Sequence, residues 1–338
     1  MDTIARTLPT RPLGTTGMNI TRVGFGAWAI GGGDWSFGWG NQDDADSVAA
    51  IHAALEHGVN WIDTAAAYGL GRSEEVVARA LEGIARSARP YVFTKGGLVG
   101  DPKNPNEKPR RIGSRASLKR EVEASLRRLK VDRIDLYQMH WPAADTALEE
   151  YWQTLLDLKQ EGKIRAAGLS NHSAAQLDVA EALGHVDTLQ PPFSAIARGA
   201  AAAEIPWCAA HRTGVIVYSP MQSGLLTGSF TAERARALPA NDWRSRDGNF
   251  TGEGLARNLA LADALRGLAE RRHTTVAAIA IAWTLAFPGV TGAIVGARSP
   301  KQIAGWIDAA SLTLDDGDLA EIATAIERSG AGEGPTHR

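Results

Sequence analysis

Four side chains in the first 140 residues could together do acid–base chemistry on a carbonyl group. Asp63 and Tyr68 stand five residues apart in Asp63-Thr64-Ala65-Ala66-Ala67-Tyr68-Gly69, just after the apolar run Val59-Asn60-Trp61-Ile62. The small residues between them add no packing of their own and let the tyrosine reach back over the strand end. Lys95 follows Tyr91-Val92-Phe93-Thr94, and His140 follows the run from Ile134 to Met139. Each alone has a plain structural reading: a turn aspartate bonding backbone amides, a lysine reaching for solvent, a hydrogen-bonded core histidine. Together they make a proton donor. A free phenol titrates near 10. An ammonium beside it favours the phenolate and lowers that value, and an imidazole donor helps further. A buried lysine without a partner is costly, and Asp63 supplies the compensating charge. Such a phenol, tuned toward working pH, suits protonation of a carbonyl oxygen as a hydride reaches its carbon.

For these residues to meet, the elements carrying them must converge. Arg11 to Val23 reads as a hairpin around Gly14-Thr15-Thr16-Gly17. After it, a short β-branched or aromatic run, a loop, an amphipathic helix and a Gly or basic turn recur. The strand runs are Val23–Ala27, Val59–Ile62, Tyr91–Thr94, Ile134–Met139, Ile164–Leu169, Thr188–Gln190, Val215–Tyr218 and Ala293–Val295. The first helix starts near Asp43 or Asp44, with Val48, Ile51 and Leu55 at helical spacing. Ser73 is expected to cap the second, and Leu118, Val122, Leu126 and Leu129 share one face of the third. Strands alternating with helices imply parallel pairing with right-handed crossovers. Eight repeats with a hairpin left over favour closure into a (β/α)8 TIM barrel over an open sheet. In a barrel the carboxyl ends of the strands share one face, where active sites are built. Asp63, Lys95 and His140 fall at three successive ends.

No linker divides the repeats, so one domain is expected over residues 11–329, with 1–10 and 330–338 flexible. Ser229 to Leu255 is too long and polar for a mere connector and is a candidate lid. The 338 residues are 44% hydrophobic and 22% charged, ordinary for a soluble protein with a large core. A net charge of −2 argues against nucleic acid or anionic membrane as main partner. Cys208 alone cannot form an internal disulfide, and the first six residues contain no apolar signal region; both fit a cytoplasmic location. The longest apolar run, Val276 to Phe287, has 12 residues against the roughly 20 of a membrane span. It reads as a buried helix.

Some motifs point elsewhere and fail on context. Gly24-Phe25-Gly26-Ala27-Trp28-Ala29 matches a dinucleotide fingerprint, with Asp44 about 20 residues on. The continuation Ile30-Gly31-Gly32-Gly33-Asp34 cannot open the helix that fingerprint needs. Tyr91 and Lys95 have a Y-x-x-x-K spacing, but on a strand they stand roughly 13 Å apart at about 3.3 Å per residue. Lys95 needs a different tyrosine. His52, His57, His185, His211 and His273 lie on helices or in the turns after them, among charged neighbours, and no metal-ligand spacing is present.

The segments Asp63 to Gly69, Phe93-Thr94-Lys95 and Gln138-Met139-His140-Trp141-Pro142 closely resemble the aldo-keto reductase superfamily, and the resemblance runs from the hairpin at Arg11 to the helix after Arg298. It implies a carbonyl reductase with Tyr68 as general acid, Lys95 and Asp63 tuning it, and His140 orienting the substrate oxygen. It also implies that Ser170, Asn171 and Gln190 hold a nicotinamide amide and that Tyr218 stacks on the ring. The backbone of Ser219, Pro220, Met221, Gln222, Ser223, Gly224 and Leu225 would hold pyrophosphate. Gly296, Arg298, Ser299 and Gln302 resemble the site of an adenosine 2′-phosphate, and a guanidinium forks well onto phosphate, so the expected cofactor is NADPH rather than NADH. Two adenine positions, usually Glu or Asn, fall on Gly305 and Trp306, where Trp306 is expected to stack or pack instead.

Trp28, Trp39 and Trp141 are expected to wall the substrate pocket, with Trp35 or Phe37 packing the loop. Aromatic walls around a polar centre suit a small neutral aldehyde, ketone or sugar carbonyl. The alternative is an NADP(H)-binding regulatory or redox-sensing subunit, resembling channel β subunits, with slow or no turnover.

Overall fold

The structure, a computed structural model, describes residues 7–33 and 35–337. Strands β1 (Thr10–Pro12) and β2 (Asn19–Thr21) pair antiparallel as the hairpin. Strands β3 (Val23–Gly26), β4 (Trp61–Asp63) and β5 (Tyr91–Gly96) follow. A short antiparallel pair, β6 (Leu98–Val99) with β7 (Arg110–Arg111), orders a stretch that the sequence leaves as loop. Then come β8 (Ile134–Met139), β9 (Ile164–Ser170), β10 (Thr188–Gln190), β11 (Gly214–Val217) and β12 (Val290–Gly296). The eight strands from β3 to β12 other than β6 and β7 form a closed parallel barrel in chain order, sealed where Ala293 to Gly296 pair with Val23 to Gly26.

Outside lie α1 (Asp44–Glu56), α2 (Arg72–Ala80), α3 (Arg115–Leu129), α4 (Leu148–Gln160), α5 (Ala174–Leu183) and α6 (Glu204–His211). Between β11 and β12 the chain adds α7 (Ala232–Arg236), α8 (Gly252–Ala264) and α9 (Arg266–Arg271) before α10 (Val276–Leu285); α11 (Pro300–Ile303) and α12 (Asp316–Ser329) end the fold. Local chemistry starts several helices. Asp43 accepts from the amides of Ala45 and Asp46 at the head of α1, and Ser173 with Gln176 forms a capping box on α5. Every residue of α10 is buried, which is why its sequence shows no polar face. Ser73 is not a cap. Gly71 takes that position at φ 104, and the Ser73 hydroxyl donates to Ala27 O and meets Thr64 Oγ1, both at 2.8 Å. It ties α2 to the ends of β3 and β4.

The main core lies between barrel and helices. A second cluster fills the barrel itself, where Leu13, Met18 and Ile20 of the hairpin meet Trp61, Phe93, Leu136, Ala166 and Ile216. The Trp61 indole donates to Thr21 O at 2.8 Å, locking the hairpin across the amino-terminal end. A Cβ on Gly24 would lie 2.1 Å from that indole, so no other residue fits there. With one end plugged, the barrel opens only where its strands finish.

Some described residues of the two segments expected to be flexible are packed. Leu8 is buried in the main core, while residues 1–6, for which flexibility is expected, and Asp34 and residue 338 lie outside the described residues. Past Gly330, the guanidinium of buried Arg198 donates to Ala331 O and Gly334 O at 3.0 and 3.1 Å, so residues 331–334 pack instead of fraying. Among the described residues, no helix is long and apolar enough to cross a membrane.

Candidate active site

Parallel pairing brings three of the four candidate residues to the same end of the barrel. Asp63 ends β4 opposite Phe93, Lys95 lies two residues further along β5, and the His140 amide donates to Gly96 O at 2.9 Å. Their side chains meet. Lys95 Nζ, fully enclosed, lies 2.5 Å from Asp63 Oδ1, 2.9 Å from Thr64 O and 3.3 Å from the Tyr68 hydroxyl. Asp63 Oδ2 accepts from Gln190 Nε2 at 2.9 Å. The Tyr68 and His140 rings meet edge to face at 5.6 Å. Tyr68 is turned back over the strand end by Gly69 at φ 60 and Leu70 at φ 55. A Cβ on Gly69 would sit 2.1 Å from Gly31 O, so this turn needs glycine for contact as well as for φ.

The electrostatics differ from the sequence expectation in one respect. Burial, then the Asp63 carboxylate, pushes the Tyr68 phenol well above its ordinary value, not below it. Lys95 sits closer to Asp63 than to the phenol, so the carboxylate takes most of its charge. Burial raises the Asp63 carboxyl and lowers the Lys95 ammonium, each opposed by the other's charge. Burial and Lys95 hold His140 far below the usual imidazole range, so it is neutral. The Tyr68 phenol is thus protonated, with a neutral imidazole beside it and the Lys95 nitrogen 3.3 Å from its oxygen.

The four residues open into a cleft of about 820 Å³. Asp63, Tyr68 and His140 line it, and Lys95 lies behind them. Of the expected substrate residues, Trp28, Trp39 and Trp141 all line it. Trp35 and Phe37 touch it too, but Trp35 is 3% exposed and meets the Phe37 ring at 5.9 Å, so it packs the loop as expected. Trp28 stacks on Tyr68 at 6.2 Å and meets Trp39 edge-on at 5.2 Å. Arg111 of β7 lies over the Trp141 ring at 4.5 Å.

The Ser229–Leu255 segment crosses this opening. Asp242 bridges to Trp39, the Trp243 amide reaches Gly38 O at 3.4 Å, and the Trp243 ring stacks on Trp28 at 5.5 Å. Arg244, paired with Asp242 at 2.6 Å, lies over the Trp39 ring and donates to Ser223 O at 3.2 Å. Sequence reading missed Trp243, Arg244 and Arg234 as cleft residues. They sit in a polar stretch without periodicity, and the only signal was the segment's length.

The remaining candidates extend the cleft. Ser170 ends β9 and Gln190 ends β10; Asn171 donates to His140 O at 2.9 Å and accepts from the Tyr218 hydroxyl at 2.7 Å. Ser219, Pro220, Met221, Ser223 and Gly224 line the next part, and Gly296, Arg298, Gln302, Gly305 and Trp306 the far part. Three candidates do not line it: Leu225 is buried in the core, Gln222 Oε1 accepts from Ser194 at 3.0 Å, and Ser299 stands at the N-cap of α11. Trp306 is 2% exposed, so it packs into the core rather than presenting a free face.

A dinucleotide fits this donor set. Amide and hydroxyl groups gather near Tyr68, and Arg234, Arg244 and Arg298 line the cleft beyond them. Between them the loop is tightly wound, with positive φ at Ser219, Gln222, Ser223 and Gly224.

Fold and site define a (β/α)8 barrel with the contact string Asp63–Lys95–Tyr68 at its carboxyl face and a cleft beside it that Arg234, Arg244 and Arg298 help to line. The sequence model of the Aldo/keto reductase family matches residues 22–327, and the chain belongs to that family. It is 36% identical over 315 residues to aldo-keto reductase YhdN of Bacillus subtilis, covering 93% of this chain and 92% of that protein. It is 34% identical to an NADH-specific methylglyoxal reductase of Escherichia coli, covering 94% and 99%. A solved glycerol dehydrogenase from Gluconobacter oxydans superposes with a TM-score of 0.84 at 37% identity, covering 98% of each chain.

Proposed function

We propose that this oxidoreductase reduces small neutral aldehydes and ketones to alcohols with NADPH, Tyr68 giving the proton. The observation that carries the reading is the contact string Asp63–Lys95–Tyr68, with His140 against the phenol, at the floor of an aromatic cleft. A bound reduced nicotinamide supplies the hydride. The chain's residues do the rest. Neutral His140 donates a hydrogen bond to the substrate oxygen and turns it toward the phenol. Tyr68 passes its proton to that oxygen as the carbon is reduced, and Lys95 stabilises the phenolate left behind. Asp63 keeps the lysine charged inside the barrel. Ser170, Asn171 and Gln190 hold the nicotinamide end, and Tyr218, fixed by Asn171, flanks it. Trp28, Trp39 and Trp243 exclude water.

Arg298 in the far cleft supports NADPH, while the E. coli relative's name points to NADH, so both belong in the test. The relatives' names also bring methylglyoxal and glycerol into the panel. Absorbance at the reduced nicotinamide band is followed with each cofactor and a series of aldehydes, ketones and sugars. Turnover of at least one carbonyl compound is the expected result. A chain that binds dinucleotide yet turns over none of them would be a regulatory subunit, not a reductase.

A further inference from the structure

The turn after β10 lies against the loop that lines the middle of the cleft. Phe193 N donates to Tyr218 O and Tyr218 N to Pro191 O, both at 3.1 Å, so the two segments run side by side. Ser194, fully buried, closes the turn by accepting from the amides of Ile196 and Ala197 at 3.1 and 2.9 Å. Both lone pairs of its oxygen are then taken, so the hydroxyl can only donate, and it donates to Gln222 Oε1 at 3.0 Å. Gln222 and Ser223 stand at φ 44 and 52, a left-handed conformation that a residue with a Cβ keeps only where its surroundings hold it.

The turn is itself held by residues 331–334. Glu333 N donates to Ile196 O at 3.1 Å and Arg198 N to Glu333 O at 3.0 Å, a parallel bridge between the two segments. The buried Arg198 guanidinium reaches Ala195 O at 2.5 Å, Ala331 O at 3.0 Å and Gly334 O at 3.1 Å. Two of its three carbonyl acceptors thus belong to the tail. Gly332, at φ 64, permits the approach, since a Cβ there would lie 1.7 Å from Ile196 O. None of residues 331–334 lines the cleft, so the tail can act on a ligand there only through the turn.

Resting on the reading of the cleft as a dinucleotide site, we infer that the 331–334 tail is a strap on that site. It fixes the 194–198 turn, and Ser194 of that turn is a positioning residue that holds Gln222, and with it the Ser219–Gly224 loop, in place for the dinucleotide. Contacting groups carry the coupling at every step. The loop lies between the groups near Tyr68 and Arg298, on a stretch common to NADH and NADPH, so the strap serves both cofactors alike.

The test titrates the full chain with NADPH and NADH by calorimetry. Wild type comes first. If it binds neither, the dinucleotide reading fails and the strap with it; binding that the variants leave unmoved fails the strap alone. Ser194→Ala removes the donor to Gln222, and Gly332→Val drives the tail off Ile196. Each is expected to raise the Kd of both cofactors about fivefold, as loss of one hydrogen bond predicts. In Gly332→Val, kcat at saturating cofactor and KM for the carbonyl compound stay within about twofold, a split that general loosening of the barrel would not give. In a Gln222→Ala background, Gly332→Val is expected to move neither Kd by more than about twofold. The strap is overturned if either variant leaves both Kd values within about twofold of wild type, if only one cofactor responds, or if kcat falls with affinity in Gly332→Val. It is overturned too if the Gly332→Val effect survives in Gln222→Ala. Should Ser194→Ala fail to fold, Gly332→Val alone and in the Gln222→Ala background decides.

Discussion

Lys95 has no exposed side-chain surface and makes its shortest contact with Asp63, so the two stand or fall together. Removing one partner of a buried ion pair leaves the other charge uncompensated, at about 3–5 kcal/mol, whereas replacing both with neutral groups of similar shape is far milder. Lys95→Met is therefore expected to lose about that much stability. Asp63→Asn with Lys95→Met should recover most of it while remaining inactive. Urea denaturation of the two variants checks this, and a double variant no more stable than Lys95→Met would refute it. This pairing was legible from residue types and strand ends. Its effect on Tyr68 was not, because which neighbour takes the lysine's charge depends on tenths of an ångström that spacing does not encode.

At the scale of elements, the cleft is roofed by two segments that the strands do not organise. The 35–39 loop and the Ser229–Leu255 segment meet through Trp39, Asp242 and Trp243, and Trp243 stacks on Trp28. Such a stack is worth about 1 kcal/mol beyond area burial. Trp243→Ala should raise KM for the carbonyl substrate about fivefold with kcat within about twofold, the mark of lost uniform binding. Steady-state kinetics decide; an equal loss in kcat would place Trp243 in the chemistry itself. The barrel strands and most of their helices could be read directly, since period-2 and period-3.6 patterns follow from backbone geometry. The roof could only be suspected from its length. Its contacts join residues some 200 positions apart, and no local pattern announces them. Ser73 misled for a similar reason: its sequence suits a cap, but tertiary contacts with Ala27 and Thr64 claimed the hydroxyl.

For the molecule as a whole, the barrel buries groups whose ionisation then governs global stability. His172 is one. Its Nδ1 must carry the proton to donate to Ser170 O at 2.8 Å, so Nε2 accepts from the Tyr151 hydroxyl at 2.7 Å. Burial lowers its pKa to about 4. With the folded value below the unfolded one near 6.5, the unfolded chain binds the extra proton between them. Stability is complete above that unfolded value and falls as pH drops toward 4, by about 3 kcal/mol at the limit. Urea midpoints at pH 7 and 4.5 should show a smaller acid loss for His172→Asn than for wild type; equal losses would contradict the assignment. The closed barrel matters most for what it assembles, since β4, β5 and β8 each bring one partner to the phenol. Single-turnover hydride transfer from bound cofactor, comparing wild type with Tyr68→Phe, measures that assembly most directly. A rate lower by about 10²–10⁴-fold with cofactor Kd unchanged is predicted. A Tyr68→Phe protein that transfers hydride within about twofold of wild type would show that the proton comes from elsewhere.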